Sequence, residues 1–196
     1  VNLHDREDLA QLLEHRWAHL ERLATSTEVS LGKSGLAALK STAKLPALSA
    51  IEMFAPPRGW LASTKFGKRL REVVLGLSDT TDERGIITWL PELDRLPVLE
   101  TATIHASRSR DTYPRWTFAR DAKHELSIAT VVTTVRSFSH AVSALQAMSP
   151  TQLTALTVTL VNAKRDGSPD ATQRAAMTAA TKRQTRLSDR PRLDDA

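Results

Sequence analysis

Apolar residues recur at steps of three and four along several segments of this chain, and this spacing constrains its fold more than any other feature. Side chains at such steps share one face of an α-helix. The longest run keeps the spacing for about five turns and consists of Ile128, Val131, Val132, Val135, Phe138, Val142 and Leu145. The run near the N-terminus consists of Leu9, Leu12, Leu13, Trp17, Leu20 and Leu23. Each run predicts an amphipathic helix.

Shorter segments predict further helices. One covers residues 34–44, and another begins after Ser63 with an apolar stripe that consists of Phe66, Leu70, Val73, Val74 and Leu77. Ser149-Pro150 and Ser168-Pro169 each place a capping residue before a proline, which is a common start of a helix. Threonines between residues 151 and 159 weaken the helix predicted there, because β-branched residues favour strands.

The segment between residues 101 and 120 has a different pattern. Residues 101–105 and 113–118 are rich in β-branched and aromatic residues, and a polar stretch separates them. In a strand, Trp116 and Phe118 share one face, and Arg115 and Thr117 share the other. Trp116 then belongs either to the core or to a platform on which bases stack. We therefore expect a mainly α fold, a helical bundle with a small β-hairpin appendage near residues 101–120.

Length and composition predict a single domain. The chain has 196 residues, of which 41% are hydrophobic and only 5% aromatic, so its core must consist mainly of Leu, Val and Ala. We expect a helix-rich domain over residues 1–186 and a polar, basic tail over residues 187–196 that a partner orders. The chain has no cysteine, no basic and apolar signal at its start, and no stretch near the ~18 apolar residues of a membrane span.

Charge is unevenly distributed along the chain. The net charge is +5, whereas residues 1–28 sum to −3 and residues 164–192 sum to +5. An acidic front and a basic back suit either a polyanionic partner or head-to-tail contact between copies. The expected partners are therefore nucleic acid, in particular single-stranded RNA, and further copies of the chain.

The sequence contains only incomplete forms of the motifs that bind phosphate or metal ions. Gly32-Lys33-Ser34 matches the end of a phosphate-binding loop, but Thr27 stands where the loop needs its first glycine, and we expect no strand before it. His15 and His19 have metal-ligand spacing, but Arg16 stands where a zinc protease carries glutamate. The sequence predicts no catalytic residue, no metal and no cofactor.

Basic clusters are the features that remain as candidate sites. They lie on the predicted middle helix, around the predicted hairpin and in the tail, and Lys and Arg in such clusters contact phosphate without reading sequence. Their members are Lys65, Lys68, Arg69, Arg71, Arg108, Arg110, Arg115, Arg120, Lys182, Arg183, Arg186, Arg190 and Arg192.

These features predict a non-enzymatic structural protein. It self-assembles and binds nucleic-acid backbone without sequence specificity, as a nucleocapsid or coat subunit does. The alternative is a protein–protein adaptor, or a matrix-like layer protein whose basic patches bind acidic partners or anionic membrane. The expected location is the cytoplasm, or a virion or another nucleoprotein assembly.

Overall fold

The structure, a computed structural model, describes most of the first 134 residues and shorter pieces beyond them. The described residues are 1–3, 6–25, 31–54, 56–77, 83–105, 115–120, 124–134, 157–161 and 193–195, together with helical positions 171, 172, 175 and 179. Within them the strands are β1 Asn2–Leu3, β2 Arg22–Thr25, β3 Ala50–Phe54, β4 Glu72–Gly76, β5 Thr101–His105, β6 Arg115–Arg120, β7 Leu126–Thr134, β8 Thr157–Val161 and β9 Leu193–Asp195. The helices are α1 Arg6–Glu14, α2 Gly32–Ser41 and α3 Glu83–Asp94, and two 3₁₀ turns cover Leu61–Ser63 and Gly67–Arg69.

The prediction of a helical bundle is wrong. The described strands form one nine-stranded mixed sheet in which each strand neighbours the next one in sequence. β1 to β5 pair in parallel, β6 is antiparallel to both β5 and β7, and β7 to β9 are again parallel. The helices connect the parallel strands instead of packing into a bundle of their own.

The predicted hairpin is confirmed as a pairing but not as an appendage. β5 and β6 are antiparallel, with Ile104 opposite Trp116, and they lie in the middle of the sheet. The helix predicted from Ile128 onwards is wrong over its first part, because residues 126–134 form β7. The helix predicted over Phe66–Leu77 is also wrong, because a 3₁₀ turn and β4 occupy this stretch.

A recurring leucine pattern precedes four of the strands. Leucine stands three residues before an apolar position of β2, β3, β4 and β5, and these apolar positions pair in register across the sheet. The leucines are Leu20, Leu48, Leu70 and Leu99, and the paired positions are Leu23, Ile51, Val73 and Ala102. A strand and its connection thus form a unit that repeats, which is the arrangement of solenoid proteins.

Each repeat has the same turn. The backbone N–H of the leucine donates to the carbonyl oxygen three residues earlier, at 3.4 Å for Leu20, Leu48 and Leu70 and 3.3 Å for Leu99. The carbonyl oxygen of the residue after each leucine then accepts bonds from the next repeat: Ser49 from Arg71 and Glu72, and Arg71 from Glu100 and Thr101. The turns therefore stack directly on one another.

The described connections between β1 and β5 lie side by side on one face of the sheet. Crossovers between parallel strands are right-handed, so connections that always advance in one direction fall on the same side. Bonds between successive connections agree with this. Lys44 Nζ donates to the carbonyl oxygens of Leu13 and Glu14 of α1. Trp60 Nε1 donates to Leu36 O of α2 at 3.1 Å. Gly59 N–H donates to Glu92 of α3 at 2.7 Å.

The core lies between the sheet and this layer of connections. Two rows of buried side chains cross the strands, and Phe66, Leu61 and Leu93 cover them from the connections. One row consists of Leu23, Ile51, Val73, Ala102 and Phe118, and the other of Met53, Leu75, Ile104, Trp116 and Val131. Trp116 is 0% exposed, so it belongs to the core and not to a stacking platform.

Trp116→Ala is expected to reduce the free energy of unfolding by about 3–5 kcal/mol, because it removes a large, fully buried side chain and leaves a cavity. Chemical denaturation measures this change. Val98→Ala is the control: Val98 is 43% exposed, and its truncation should change stability by less than about 0.5 kcal/mol. Equal effects of the two substitutions would contradict the placement of Trp116 in the core.

Candidate interaction surfaces

The sheet face opposite the connections forms the first candidate surface. Alternate residues of each strand point to this side, and many of them are partly accessible. The open sheet face, as we define it, consists of Arg22, Glu52, Glu72, Val74, Thr101, Thr103, Thr117 and Thr130. Its members lie on six adjacent strands and present hydroxyl, carboxylate and apolar groups in aligned rows.

Polar contacts hold the side chains of this face in place. Arg22 donates to the Glu72 carboxylate of the strand two positions away, and this hydrogen bond raises the pKa of Arg22 above its ordinary value. Thr103 and Thr117 share a hydrogen bond of 3.4 Å between their Oγ1 atoms. A face whose groups are held in this way is arranged before any partner binds, which lowers the entropy cost of binding.

The layer of connections carries the second candidate surface, which we call the basic crossover surface. It consists of Lys33, Lys40, Lys65, Lys68 and Arg69, all exposed. Lys33 and Lys40 are seven residues apart and share one side of α2. The segment that contains the 3₁₀ turns contacts α2, since Lys65 N–H donates to Lys40 O at 3.2 Å and Trp60 Nε1 donates to Leu36 O.

Carboxylates are nearly absent from this part of the chain. Residues 29–71 contain eight Lys and Arg and a single acidic residue, Glu52, so they sum to +7, whereas the rest of the chain sums to −2. Glu52 belongs to the open sheet face, on the other side of the sheet. In the parts of these two crossovers that the structure describes, residues 31–49 and 56–71, every charged side chain is positive, whereas Glu28 lies outside the described residues.

Two features fix the backbone of the 3₁₀ turns. The buried Glu92 carboxylate accepts the N–H groups of Gly59 at 2.7 Å and Leu61 at 3.3 Å. Gly67 passes so close to Leu61 O that a Cβ at this position would lie 2.5 Å from that oxygen. These contacts therefore hold the backbone from which Lys65, Lys68 and Arg69 project.

The cations predicted as site residues between positions 65 and 71 have different environments. Lys65 and Lys68 are exposed. Arg69 is exposed and donates to the carbonyl oxygen of Leu45 at 3.2 Å and of Lys65 at 3.5 Å. Arg71 instead forms an ion pair with Glu100, so a carboxylate already neutralises its charge.

The arginines of β6 have different environments. Arg115 lies at the start of the strand, opposite His105 of β5. Arg120 has a side chain that is only 13% exposed. Its guanidinium donates to the Asp94 side chain and to the carbonyl oxygens of Asp94, Leu96 and His124. Arg120 therefore ties the end of α3 to the sheet.

The remaining predicted site residues lie outside the described residues. These are Arg108, Arg110, Lys182, Arg183, Arg186, Arg190 and Arg192. Sequence reasoning also missed Lys33 and Lys40, which the fold places beside Lys65. The absence of Asp and Glu from residues 29–51 was the sequence feature that could have indicated a basic surface here.

The context of Gly32-Lys33-Ser34 differs from expectation. β2 precedes it, so a strand does stand before this segment, and α2 begins at Gly32. The position of the first loop glycine is Thr27, which lies outside the described residues. The motif still lacks the glycine that lets backbone amides wrap a phosphate.

Among the described residues, no group of three or more metal-type side chains converges. A shallow cleft of about 590 Å³ lies beside β1, lined by Val1, Leu3, Gln11, Leu12, Glu14, His15 and Trp17. Every helix in the described part of the chain is too short or too polar to span a lipid bilayer.

No protein-family model, curated protein or solved structure matches the chain.

Replacement of Arg120 by methionine should lower the free energy of unfolding by roughly 2–4 kcal/mol, because charge-assisted bonds to several carbonyl oxygens are lost. Arg71→Met should cost less than about 1 kcal/mol, since the Arg71–Glu100 pair is exposed to solvent. Urea unfolding of both variants measures the difference. If Arg71→Met proves as destabilising as Arg120→Met, the structural role given to Arg120 is wrong.

Proposed function

We propose that this chain is a non-enzymatic protein–protein adaptor that holds a partner protein on its open sheet face. The observation that carries the proposal is the one-sided cover of the sheet. The described connections between β1 and β5 occupy one face, and the other face presents aligned polar and apolar side chains from Arg22 on β2 to Thr130 on β7.

Repetition supports this function. Stacked units present the same strand position again and again, so the accessible face extends with the number of units, and such extended faces serve as binding surfaces. The Leu-x-x-apolar-x-apolar pattern, as in Leu48-Ser49-Ala50-Ile51-Glu52-Met53, is similar to that of leucine-rich repeats. This similarity concerns the pattern alone.

Two further properties belong to the proposal. Copies of the chain associate head to tail, which the acidic residues 1–28 and the basic residues 164–192 support, as does the placement of β1 and β9 at opposite edges of the sheet. The protein acts in the cytoplasm or in a nucleoprotein assembly, in keeping with a sequence free of cysteine.

A photo-crosslinking side chain at Thr117 tests the adaptor function, because Thr117 lies centrally on the open sheet face. We expect one discrete adduct with a partner protein in extracts of the source cells. Val74→Arg, on the same face, should reduce this adduct at least about tenfold, the effect of losing a central interface contact. Gel electrophoresis and mass spectrometry of the adduct provide the measurement.

The matched control places the same crosslinker at Ala62, an exposed residue of the connection layer. The adaptor proposal predicts no such adduct from Ala62. If Thr117 and Ala62 yield the same adducts, or if Val74→Arg leaves the Thr117 adduct unchanged, the open sheet face is not the binding surface.

A second candidate function is the packaging of nucleic acid, and a specific observation favours it. Lys65, Lys68 and Arg69 are exposed, and no carboxylate of the described residues pairs with them. Such groups neutralise phosphates and release counterions. Single-stranded RNA is the proposed ligand, and the arginines and lysines of the tail are its proposed further contacts.

Substitution is a better test of the tail than deletion, because β9 lies at its end and pairs with β8. Replacing Lys182, Arg183, Arg186, Arg190 and Arg192 with glutamine should lower the slope of log affinity against log salt by up to about 3.5 for single-stranded RNA. Fluorescence anisotropy of a labelled RNA measures this slope. An unchanged slope would show that the tail does not contact phosphate.

A further inference from the structure

The fold joins residues that lie far apart in sequence into one cationic surface on the side of the sheet that the adaptor function does not use. Lys40 and Lys65 are 25 positions apart in the chain, yet the Lys65 N–H donates to the Lys40 carbonyl oxygen at 3.2 Å. The two consecutive crossovers thereby meet at Lys40 and Lys65, with Lys33 about two turns earlier on α2 and with Lys68 and Arg69 in the 3₁₀ turn that follows Lys65.

We propose that the basic crossover surface, formed by Lys33, Lys40, Lys65, Lys68 and Arg69, is a track that binds the phosphate backbone of a single-stranded nucleic acid. This inference deepens the second candidate function by naming its site, and it is independent of the adaptor function. The chain then holds a nucleic acid on its connection layer and a protein on its open sheet face.

Among the described residues, no carboxylate forms an ion pair with a cation of the basic crossover surface. Arg22, Arg71 and Arg120 each have a carboxylate partner, whereas Arg69 donates to backbone carbonyl oxygens, which do not remove its charge. These bonds use two of the five guanidinium N–H donors and restrict the orientation of the group. A phosphate that meets Arg69 therefore finds a positioned donor.

Geometry favours an extended ligand. Lys33 and Lys40 project from one side of α2, about 10 Å apart along its axis, and Lys65 of the next crossover contacts the backbone of Lys40. Gly67 and the Glu92 carboxylate fix these turns. A chain of phosphates can contact several of these positions at once, whereas a single anion contacts one or two.

Nucleic acid fits the surface better than an anionic membrane does. Helices that lie on membranes combine cations with large apolar side chains that enter the lipid. Among the described residues, the exposed large apolar side chains are Val1, Trp17 and Val98, and none of them belongs to the basic crossover surface. The cations here are surrounded instead by small and polar neighbours such as Ala37, Ser41 and Ala62.

The test compares the full-length wild type with the triple variant Lys40→Gln, Lys65→Gln and Lys68→Gln. Fluorescence anisotropy with a labelled single-stranded RNA, at salt concentrations from about 50 to 200 mM, gives affinity and salt slope. The variant should lose about tenfold or more in affinity at low salt, and its slope should fall by about 2, since each lost phosphate contact removes about 0.7. Its melting temperature should be unchanged, because all three side chains are exposed.

The matched control removes the same charge from exposed residues outside both surfaces, as Arg16→Gln, Arg71→Gln and Arg95→Gln. It should retain the wild-type slope, because these side chains do not contact the phosphates, whereas a general effect of net charge would reduce the slope of both variants alike. Equal loss in both, an unchanged slope in the triple lysine variant, or no binding by the wild type overturns the proposal. So does a triple lysine variant that loses binding only to phosphatidylserine vesicles. A normal slope in that variant with a reduced slope in the tail variant would refute this site while leaving the packaging function in place.

Discussion

Register between neighbouring turns determines most of this structure. The carbonyl oxygens of Glu21, Ser49 and Arg71 each accept backbone N–H groups from the following repeat, and this contact aligns β3, β4 and β5 each with the strand before it. A shift of one residue would turn the buried row from Leu23 to Phe118 toward solvent, because side chains alternate along a strand. The stacked turns and the leucines that stand three residues before a buried position of β2, β3, β4 and β5 therefore act together to specify the pairing of these strands.

The placement of the described crossovers on one face of the sheet determines where the charged side chains lie. Since the crossovers follow one another along one face, residues that belong to crossovers and residues that belong to strands end on opposite sides of the sheet. Between residues 29 and 71 the positive side chains fall almost entirely in crossovers, while Glu52 falls in a strand. The topology thereby places residues that alternate along the sequence on two different surfaces. The basic crossover surface carries only cations, and the open sheet face carries both carboxylates and a cation.

Sequence reasoning recovered some local features, but it mistook the segments of β4, β7 and β8 for helices and missed the sheet. It predicted α2 nearly as found, the pairing of residues 101–105 with a strand over residues 113–118, which the structure has at 115–120, and the shared face of Trp116 and Phe118. It failed for Leu70 and Val73 because a leucine three residues before a strand position has the spacing of a helix face. Composition around Lys33 and Lys40 could have revealed the basic surface, but only the fold brings these lysines beside Lys65, through contacts between residues distant in sequence.

The reversal of chain direction at β6 has a consequence for how the two parallel series of strands are connected. β6 is antiparallel to both neighbours, so β7 runs in the same direction as β5, and the parallel series resumes beyond it as if β6 were absent. A chain that reverses at β6 and again at β7 returns to its original direction, so β5 and β7 can belong to two parallel series with one strand between them. The step from β5 to β7 therefore needs no crossover of the kind that joins the strands from β1 to β5. β6 in this way connects the parallel series β1–β5 to the parallel series β7–β9.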